Sequence, residues 1–213
     1  MDGPDDRTME KNSPFLQIRN LRTRGAGAID LSAARGECIC ILGKSGSGKS
    51  VFLRLVADLD PGEGTVALDG VDRGSLSGPR WRQRVVYQAA EPAWWAPTVA
   101  AHFPDDTHAR LGAWMEEIGL STGLLDTEIP RLSTGERQRL ALLRSLAREP
   151  AVLLLDEPTA SLDTESTLVV EAMLGRRLAQ GLTILMVTHS REQAARIGQR
   201  RFEMADGQLR SAA

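Results

Sequence analysis

Lysine is almost absent from this chain: Lys11, Lys44 and Lys49 are the only three in 213 residues, and arginine supplies the rest of the positive charge. Neither sign dominates, since 26 basic residues face 28 acidic ones for a net charge of −2. That balance argues against a general nucleic-acid or membrane-surface binder. Long apolar runs are missing as well. Nothing approaches the roughly 20 residues of a membrane-spanning helix. The N-terminus reads Met1-Asp2-Gly3-Pro4-Asp5-Asp6 and is acidic, the opposite of a secretory signal. Cysteine is limited to Cys38 and Cys40. Two residues apart on one strand, their side chains share a face and point in parallel, so a disulfide between them is not expected. Buried, reduced thiols are the expectation. What is present, 42% hydrophobic and 25% charged residues, fits one globular domain of ordinary size.

Two of the three lysines fall inside Gly43-Lys44-Ser45-Gly46-Ser47-Gly48-Lys49-Ser50. The stretch matches G-x-x-x-x-G-K-[ST], a phosphate-binding loop. Its context fits. The apolar run Cys38–Leu42 reads as a buried strand leading in, and Val51–Ala57 reads as a helix leading out. Glycines let the backbone curl so that successive N–H groups face phosphate oxygens, and the helix N-terminus adds partial positive charge. Lys49 is expected at the β- and γ-phosphates of a nucleotide, and Ser50 at Mg²⁺.

Along the chain, residues 1–13 read as a disordered tail. Strands are expected at Phe15–Arg19, Ala28–Ala33, Thr65–Leu68 and Arg84–Tyr87, the last ending at Gln88. Residues 89–131 change character: they hold Trp94, Trp95 and Trp114 and a helical stretch from Thr107 to Ile118, and read as a helical insertion. Ser133 and Glu136 have capping-box spacing at the start of a helix that runs to about Arg148. Glu149-Pro150 stops it, because a residue before proline avoids the α region. Ala151–Leu155 is apolar throughout, as in a parallel strand covered on both faces, and leads to Asp156-Glu157. A helix from Thr164 to Gln180 follows, then a strand from Thr183 to Thr188 ending at His189. Strands alternating with helices imply a parallel sheet, whose ligands sit beyond the carboxyl ends of the strands. Lys49, Gln88, Asp156, Glu157 and His189 all fall at such ends and are expected to converge. Asp156 is placed to hold Mg²⁺ with Ser50. Glu157, turned away from its neighbour by the pleat, can polarise a water for attack on the γ-phosphate. His189 is placed to orient that water or the γ-phosphate, and Gln88 to reach Mg²⁺ or water through its amide.

With these residues assembled, the chain resembles the ATP-binding subunits of ABC transporters over nearly its whole length, from about Phe15 to Leu209. The family's ordered motifs are present: the Walker A loop Gly43–Ser50, the Q-loop glutamine Gln88, the signature Leu132-Ser133-Thr134-Gly135-Glu136, Walker B at Val152–Asp156, the catalytic glutamate Glu157, the D-loop Ser161-Leu162-Asp163 and the switch histidine His189. The resemblance implies a P-loop NTPase of the ABC ATPase kind, α/β, with a parallel core sheet, a small antiparallel β subdomain and a helical subdomain. Residues 14–88 and 150–213 would form the nucleotide-binding core, and 89–149 the helical and signature subdomain. It implies catalytic roles for Glu157, His189, Lys49 and Gln88. Nucleotide contacts would come from Gly43, Lys44, Ser45, Gly46, Ser47, Gly48, Lys49, Ser50 and Val51, with Ser133 and Gly135 contributed to a partner's ATP. Mg²⁺ would be held by Ser50, Gln88 and Asp156. Two such domains would pair head to tail, as a homodimer or with a paired ATPase subunit. They would drive an integral membrane permease contacted near residues 89–103, from the cytoplasmic face of the membrane.

Three departures stand out. The signature reads Leu-Ser-Thr-Gly-Glu where Leu-Ser-Gly-Gly-Gln is usual, so slower or weaker function is expected rather than loss. The loop after the first strand, Leu21-Arg22-Thr23-Arg24-Gly25, lacks the usual adenine-stacking aromatic, leaving the guanidinium plane of Arg22 or Arg24 for that task. The chain is short, and no regulatory domain is expected after Gly207. The compact single cassette also resembles, less closely, small stand-alone cassettes linked to metal and especially iron export. The competing reading is a soluble ABC-type ATPase acting on ribosomes or DNA. Those usually carry tandem cassettes or long coiled-coil insertions, and neither appears here. A non-hydrolysing module is disfavoured by the intact Glu157 and His189.

Overall fold

The computed structural model describes residues 14–23 and 27–212; the expected tail, 1–13, and Arg24 lie outside the described residues. Strands β1 (Leu16–Arg22) and β2 (Ile29–Ala33) pair antiparallel, and β3 (Cys38–Leu42) then feeds the glycine loop. Helix α1 (Lys49–Val56) leaves that loop. Strands β4 (Glu63–Leu68) and β5 (Val71–Asp72) return to the first pair, giving an antiparallel sheet in the order β2-β1-β4-β5. Helix α2 (Gly78–Arg84) precedes β6 (Val85–Gln88). After it come several short 3-10 turns, α3 (His108–Glu117) and α4 (Thr134–Leu146). Strand β7 (Val152–Asp156), helix α5 (Thr164–Ala179), strand β8 (Thr183–Val187), helix α6 (Arg191–Ile197) and the hairpin β9 (Arg200–Ala205)–β10 (Gln208–Ser211) complete the chain. The second sheet has the order β10-β9-β3-β8-β7-β6. All its neighbours are parallel except the terminal hairpin. This is the parallel core sheet with a separate antiparallel sheet expected of the chain.

Strands β3, β7 and β8 are buried at every position, which is why they read as unbroken apolar runs. Their pleat feeds two cores. Cys38, Cys40, Leu153, Leu155, Ile184 and Met186 face one side and join Leu111, Met115, Ile118, Leu140 and Leu143 of α3, α4 and the turn after α3 in a single apolar cluster. Ile39, Ile41, Leu154, Leu185 and Val187 face the other, against Phe52, Leu53 and Val56 of α1 and the antiparallel sheet. Both cysteines are buried and free, as expected. Trp81 of α2 is fully buried in the second core and donates its indole N–H to the Val56 carbonyl at 2.9 Å.

The register sets the site. Ile41 lies level with Val187, Asp156 with Val187, and Gln88 with Leu155, so four parallel strands end along one edge. Some elements had no strong local signal. Charged residues obscure β9, Arg-Arg-Phe-Glu-Met-Ala, although it lies between β3 and β10. Helix α6 is short, and its start is capped: Ser190 Oγ accepts from the Gln193 backbone N–H at 3.1 Å.

Candidate functional site

The loop Gly43–Ser50 closes on its own lysine. Lys49 is buried, and its ammonium donates to the carbonyls of Gly43 (2.8 Å) and Lys44 (2.9 Å). Gly43, at φ 145°, lies so close to β9 that a Cβ there would come within 2.4 Å of the Met204 carbonyl oxygen. Only glycine fits. The loop borders a cleft of about 680 Å³ lined by Lys44–Gly48, Val51, Phe52, Arg22, Thr23 and the turn Glu203–Gly207. Ser50 is exposed at the first turn of α1. Arg22 lines the cleft as expected, but its guanidinium forks onto Glu63 at 3.0 and 2.8 Å, and no aromatic ring is among the lining residues except Phe52.

At the neighbouring strand ends, Asp156 is 3% exposed and closes β7. Its Oδ2 accepts from the Tyr87 hydroxyl at 3.0 Å. Burial, followed by the charge of Asp156, raises the Tyr87 hydroxyl above the ordinary phenol range, so it stays a donor. Glu157 leaves the strand in a left-handed conformation, φ 49°. Its backbone N–H bonds the Val187 carbonyl at 3.0 Å. Glu157 thus lies past the end of β7, at a left-handed residue rather than within the pleat, and the two carboxylates take different partners, Tyr87 for Asp156 and His189 for Glu157. Glu157 Oε1 lies 2.8 Å from His189 Nε2, bringing the expected base and the expected switch histidine together. His189 follows β8 by two residues, since the strand stops at Val187 and not at Thr188.

Gln88 is buried, and neither its amide oxygen nor its amide nitrogen has a partner among the described residues. By the register it shares a sheet face with Leu155, so it approaches the strand ends from the face opposite Asp156. A buried amide left bare is costly and is ordinarily matched by a ligand, ion or water. Ser47 Oγ in the phosphate loop is bare in the same way.

The Ser133 stretch starts α4 with the expected capping box. Ser133 Oγ accepts from the Glu136 N–H at 3.2 Å, while Glu136 Oε2 accepts from the Ser133 N–H and hydroxyl, both at 2.8 Å. The departing glutamate is thus spent locally on the helix start. Gly135 packs beside the Ser161–Leu162 turn: a Cβ there would meet Leu162 at 3.3 Å. Neither Ser133 nor Gly135 lines the phosphate-loop cleft.

The aromatic segment divides. Phe103 is 6% exposed and belongs to the core, so it is not available to a partner. Trp94 packs against that core, whereas Trp95 is 69% exposed. His102 holds the loop: its Nε2 accepts from the N–H groups of Trp95 and Ala96, both at 3.0 Å, and its Nδ1 lies 2.8 Å from the Thr98 carbonyl. Arg144 lies 4.6 and 4.7 Å from the two indole centroids. Sequence reasoning had passed over Tyr87, His102 and Gln193. Each acts through a partner distant in the chain or a loop carbonyl, and no short motif marks it.

The family model described as ABC transporter matches residues 27–160. The chain is 36% identical over 200 residues to the probable iron export ATP-binding protein FetA of Escherichia coli (strain K12), covering 87% of this chain and 89% of that one. It is 37% identical over 230 residues to the lipoprotein-releasing system ATP-binding protein LolD of Alcanivorax borkumensis, covering 95% and 99%. It is 38% identical over 207 residues to an aliphatic sulfonates import ATP-binding protein, SsuB 2, of Nocardia farcinica, covering 92% and 82%. Its fold superposes on a bacterial Atm1-family ABC exporter solved with ATP bound, at a TM-score of 0.82 and 24% identity, over 94% of this chain and 39% of that one. The chain belongs to the ABC transporter family, as an ATP-binding subunit whose ATP hydrolysis drives transport.

Proposed function

We propose that the ATPase works as a head-to-tail pair, with the phosphate loop of one subunit and the Ser133–Gly135 helix start of the other closing on one ATP. The observation that carries this reading is the separation of the two anion-binding elements. The cleft beside Gly43–Ser50 is lined without Ser133 or Gly135, although α4 begins there with its N-terminal N–H groups available. A second subunit can supply what the first lacks. In this reading Gly43–Val51 cradle the phosphates, and Lys49 exchanges its two carbonyl partners for phosphate oxygens. Ser50 and Asp156 would hold Mg²⁺ on one side, with Gln88 reaching it from the other sheet face past the strand ends. The residues suit the ion: an exposed hydroxyl, a buried carboxylate and a buried amide lacking partners. Mg²⁺, when bound, offsets charge on the phosphates. Glu157 draws the proton from the attacking water, and His189, hydrogen-bonded to it, orders the γ-phosphate side.

The membrane-spanning work is assigned to a separate permease, after the relatives whose names make them ATP-binding proteins of transport systems; among the described residues no helix is long and apolar enough to cross a membrane. Trp95, held out by His102 and Arg144, is the contact proposed for that subunit within residues 89–103. The relatives' names span iron export, lipoprotein release and sulfonate import at 36–38% identity. The substrate and direction therefore follow the permease, and a metal-exporting one is the class to try first.

The test uses Glu157→Gln with Mg-ATP. It is expected to retain ATP, elute as a dimer, stop turnover, and bring down a polytopic membrane protein in stoichiometric amount from native membranes. A monomer at saturating ATP refutes the pairing. Ribosomal or DNA-repair proteins in place of a membrane chain refute the transporter assignment.

A further inference from the structure

We infer that the side-chain amide of Gln193 is a positioning residue for turnover: it ties the segment carrying His189 to the segment carrying Glu157 and fixes both on Glu171. The inference rests on the roles proposed above for Glu157 and His189. Gln193 belongs to α6 and is 2% exposed. Its Oε1 accepts from the Thr188 hydroxyl at 2.7 Å, and its Nε2 donates to Thr159 Oγ1 at 2.9 Å and to Glu171 Oε1 at 3.1 Å. Glu171 of α5 is itself buried and held by Arg196 at 2.7 Å through each carboxylate oxygen.

The proton count fixes this arrangement. An ionised Glu171 only accepts, so the amide nitrogen must face it. Thr188 Oγ1 already accepts from the Ser190 N–H at 3.1 Å, so its own proton goes to Gln193 Oε1. The position requires a donor and an acceptor on one short planar group. Alanine supplies neither, and glutamate would set a second carboxylate against Glu171.

The two threonines flank the reacting groups. Thr188 immediately precedes His189, and Thr159 lies two residues after Glu157. In front of the amide, the Glu157 carboxylate meets the His189 imidazole at 2.8 Å. Gln193 bridges the same two segments through side chains, beside the backbone bond Glu157 N–Val187 O. Four elements, the ends of β7 and β8 with α5 and α6, thus meet on one buried amide. Misplacement of a reacting group by about 1 Å can cost about a hundredfold in rate, so loss of the bridge should appear in kcat before it appears in nucleotide binding.

The experiment measures ATPase kinetics and thermal unfolding of the purified chain. Gln193→Leu is expected to lower kcat about tenfold while KM for ATP stays within about twofold. Thr159→Val cuts one arm with its shape kept; Thr188→Val cuts the other and also releases the Ser190 N–H. Each is expected to lower kcat, and adding Gln193→Leu to the threonine pair to cost nothing further, because a bridge is broken once. Gln193→Glu is expected to be worse than Gln193→Leu, since it sets a second carboxylate against Glu171. Parental kcat in a cooperatively folded Gln193→Leu, or threonine effects that multiply independently, would each overturn the inference. If Gln193→Leu fails to fold, the threonine pair decides. Glu157→Gln is the separate control: parental turnover there removes the role of Glu157 whatever Gln193 does.

Discussion

Replacing Tyr87 by Phe deletes one oxygen and little else. That oxygen is the only side-chain hydrogen-bond donor to Asp156 among the described residues, at 3.0 Å from a carboxylate that is 3% exposed. A hydrogen bond to a charged, buried group contributes about 1.5–3 kcal/mol. Tyr87 is itself only partly buried, so the lower half of that range, about 2 kcal/mol, is the expected loss in the nucleotide-free protein. For a chain of this size the loss corresponds to a fall of about 4–8 °C in Tm. The same bond aims the carboxylate, so Mn²⁺ affinity in the presence of ATP should fall about tenfold. The pH dependence has a definite sign. The folded-state hydroxyl is raised above its unfolded value, so its contribution is fully present below about pH 10 and is lost only as the pH rises through the higher folded value. The gap in Tm between parent and variant should therefore stay constant from pH 6 to 9. Differential scanning calorimetry and Mn²⁺ titration by electron paramagnetic resonance measure the two effects. A Tm within about 1 °C of the parent, with unchanged Mn²⁺ affinity, would refute the reasoning, because about 2 kcal/mol cannot vanish inside that error.

Five further substitutions separate binding, capping and docking. Lys49→Ala removes the ammonium that now spans the Gly43 and Lys44 carbonyls, and ATP affinity by equilibrium titration should fall at least about a hundredfold, the worth of two charge-assisted hydrogen bonds; full affinity would contradict the phosphate-loop assignment. Glu136→Gln preserves an acceptor for the Ser133 N–H while removing a charge, so Tm should hold and ATP-driven pairing, by analytical ultracentrifugation, should strengthen. Glu136→Ala breaks half the box and should cost about 1 kcal/mol, read as a lower Tm. Trp95→Ala, at a side chain 69% exposed, should leave Tm unchanged but abolish capture of the membrane partner, whereas Phe103→Ala should cost about 3–5 kcal/mol of stability. A destabilised Trp95→Ala that still captures the partner would reverse that assignment.

What the sequence determined by itself was local. The glycine loop, the strand before it and the helix after it lie within about twenty consecutive residues, and their backbone geometry follows from glycine, a buried apolar run and a helix start. The same holds for the Ser133–Glu136 capping box and for α5, capped by Asp163 accepting from the Ser166 N–H at 2.7 Å. Pairing was another matter. Parallel neighbours are joined through crossovers, so the order β10-β9-β3-β8-β7-β6 comes from burial on both faces and not from any contiguous signal. That order alone brings Asp156 to Tyr87, 69 residues away, and Gln193 to Glu171 and Thr159, 22 and 34 away. It also places Gln88 on the face opposite Asp156. The antiparallel pairing of β1 with β4 gives Arg22 to Glu63, and packing of the segment after β6 buries Phe103 while leaving Trp95 in water. A tryptophan or an arginine carries the same chemistry in either setting. Packing decides which of its surfaces is spent within the fold and which remains for a ligand or a partner.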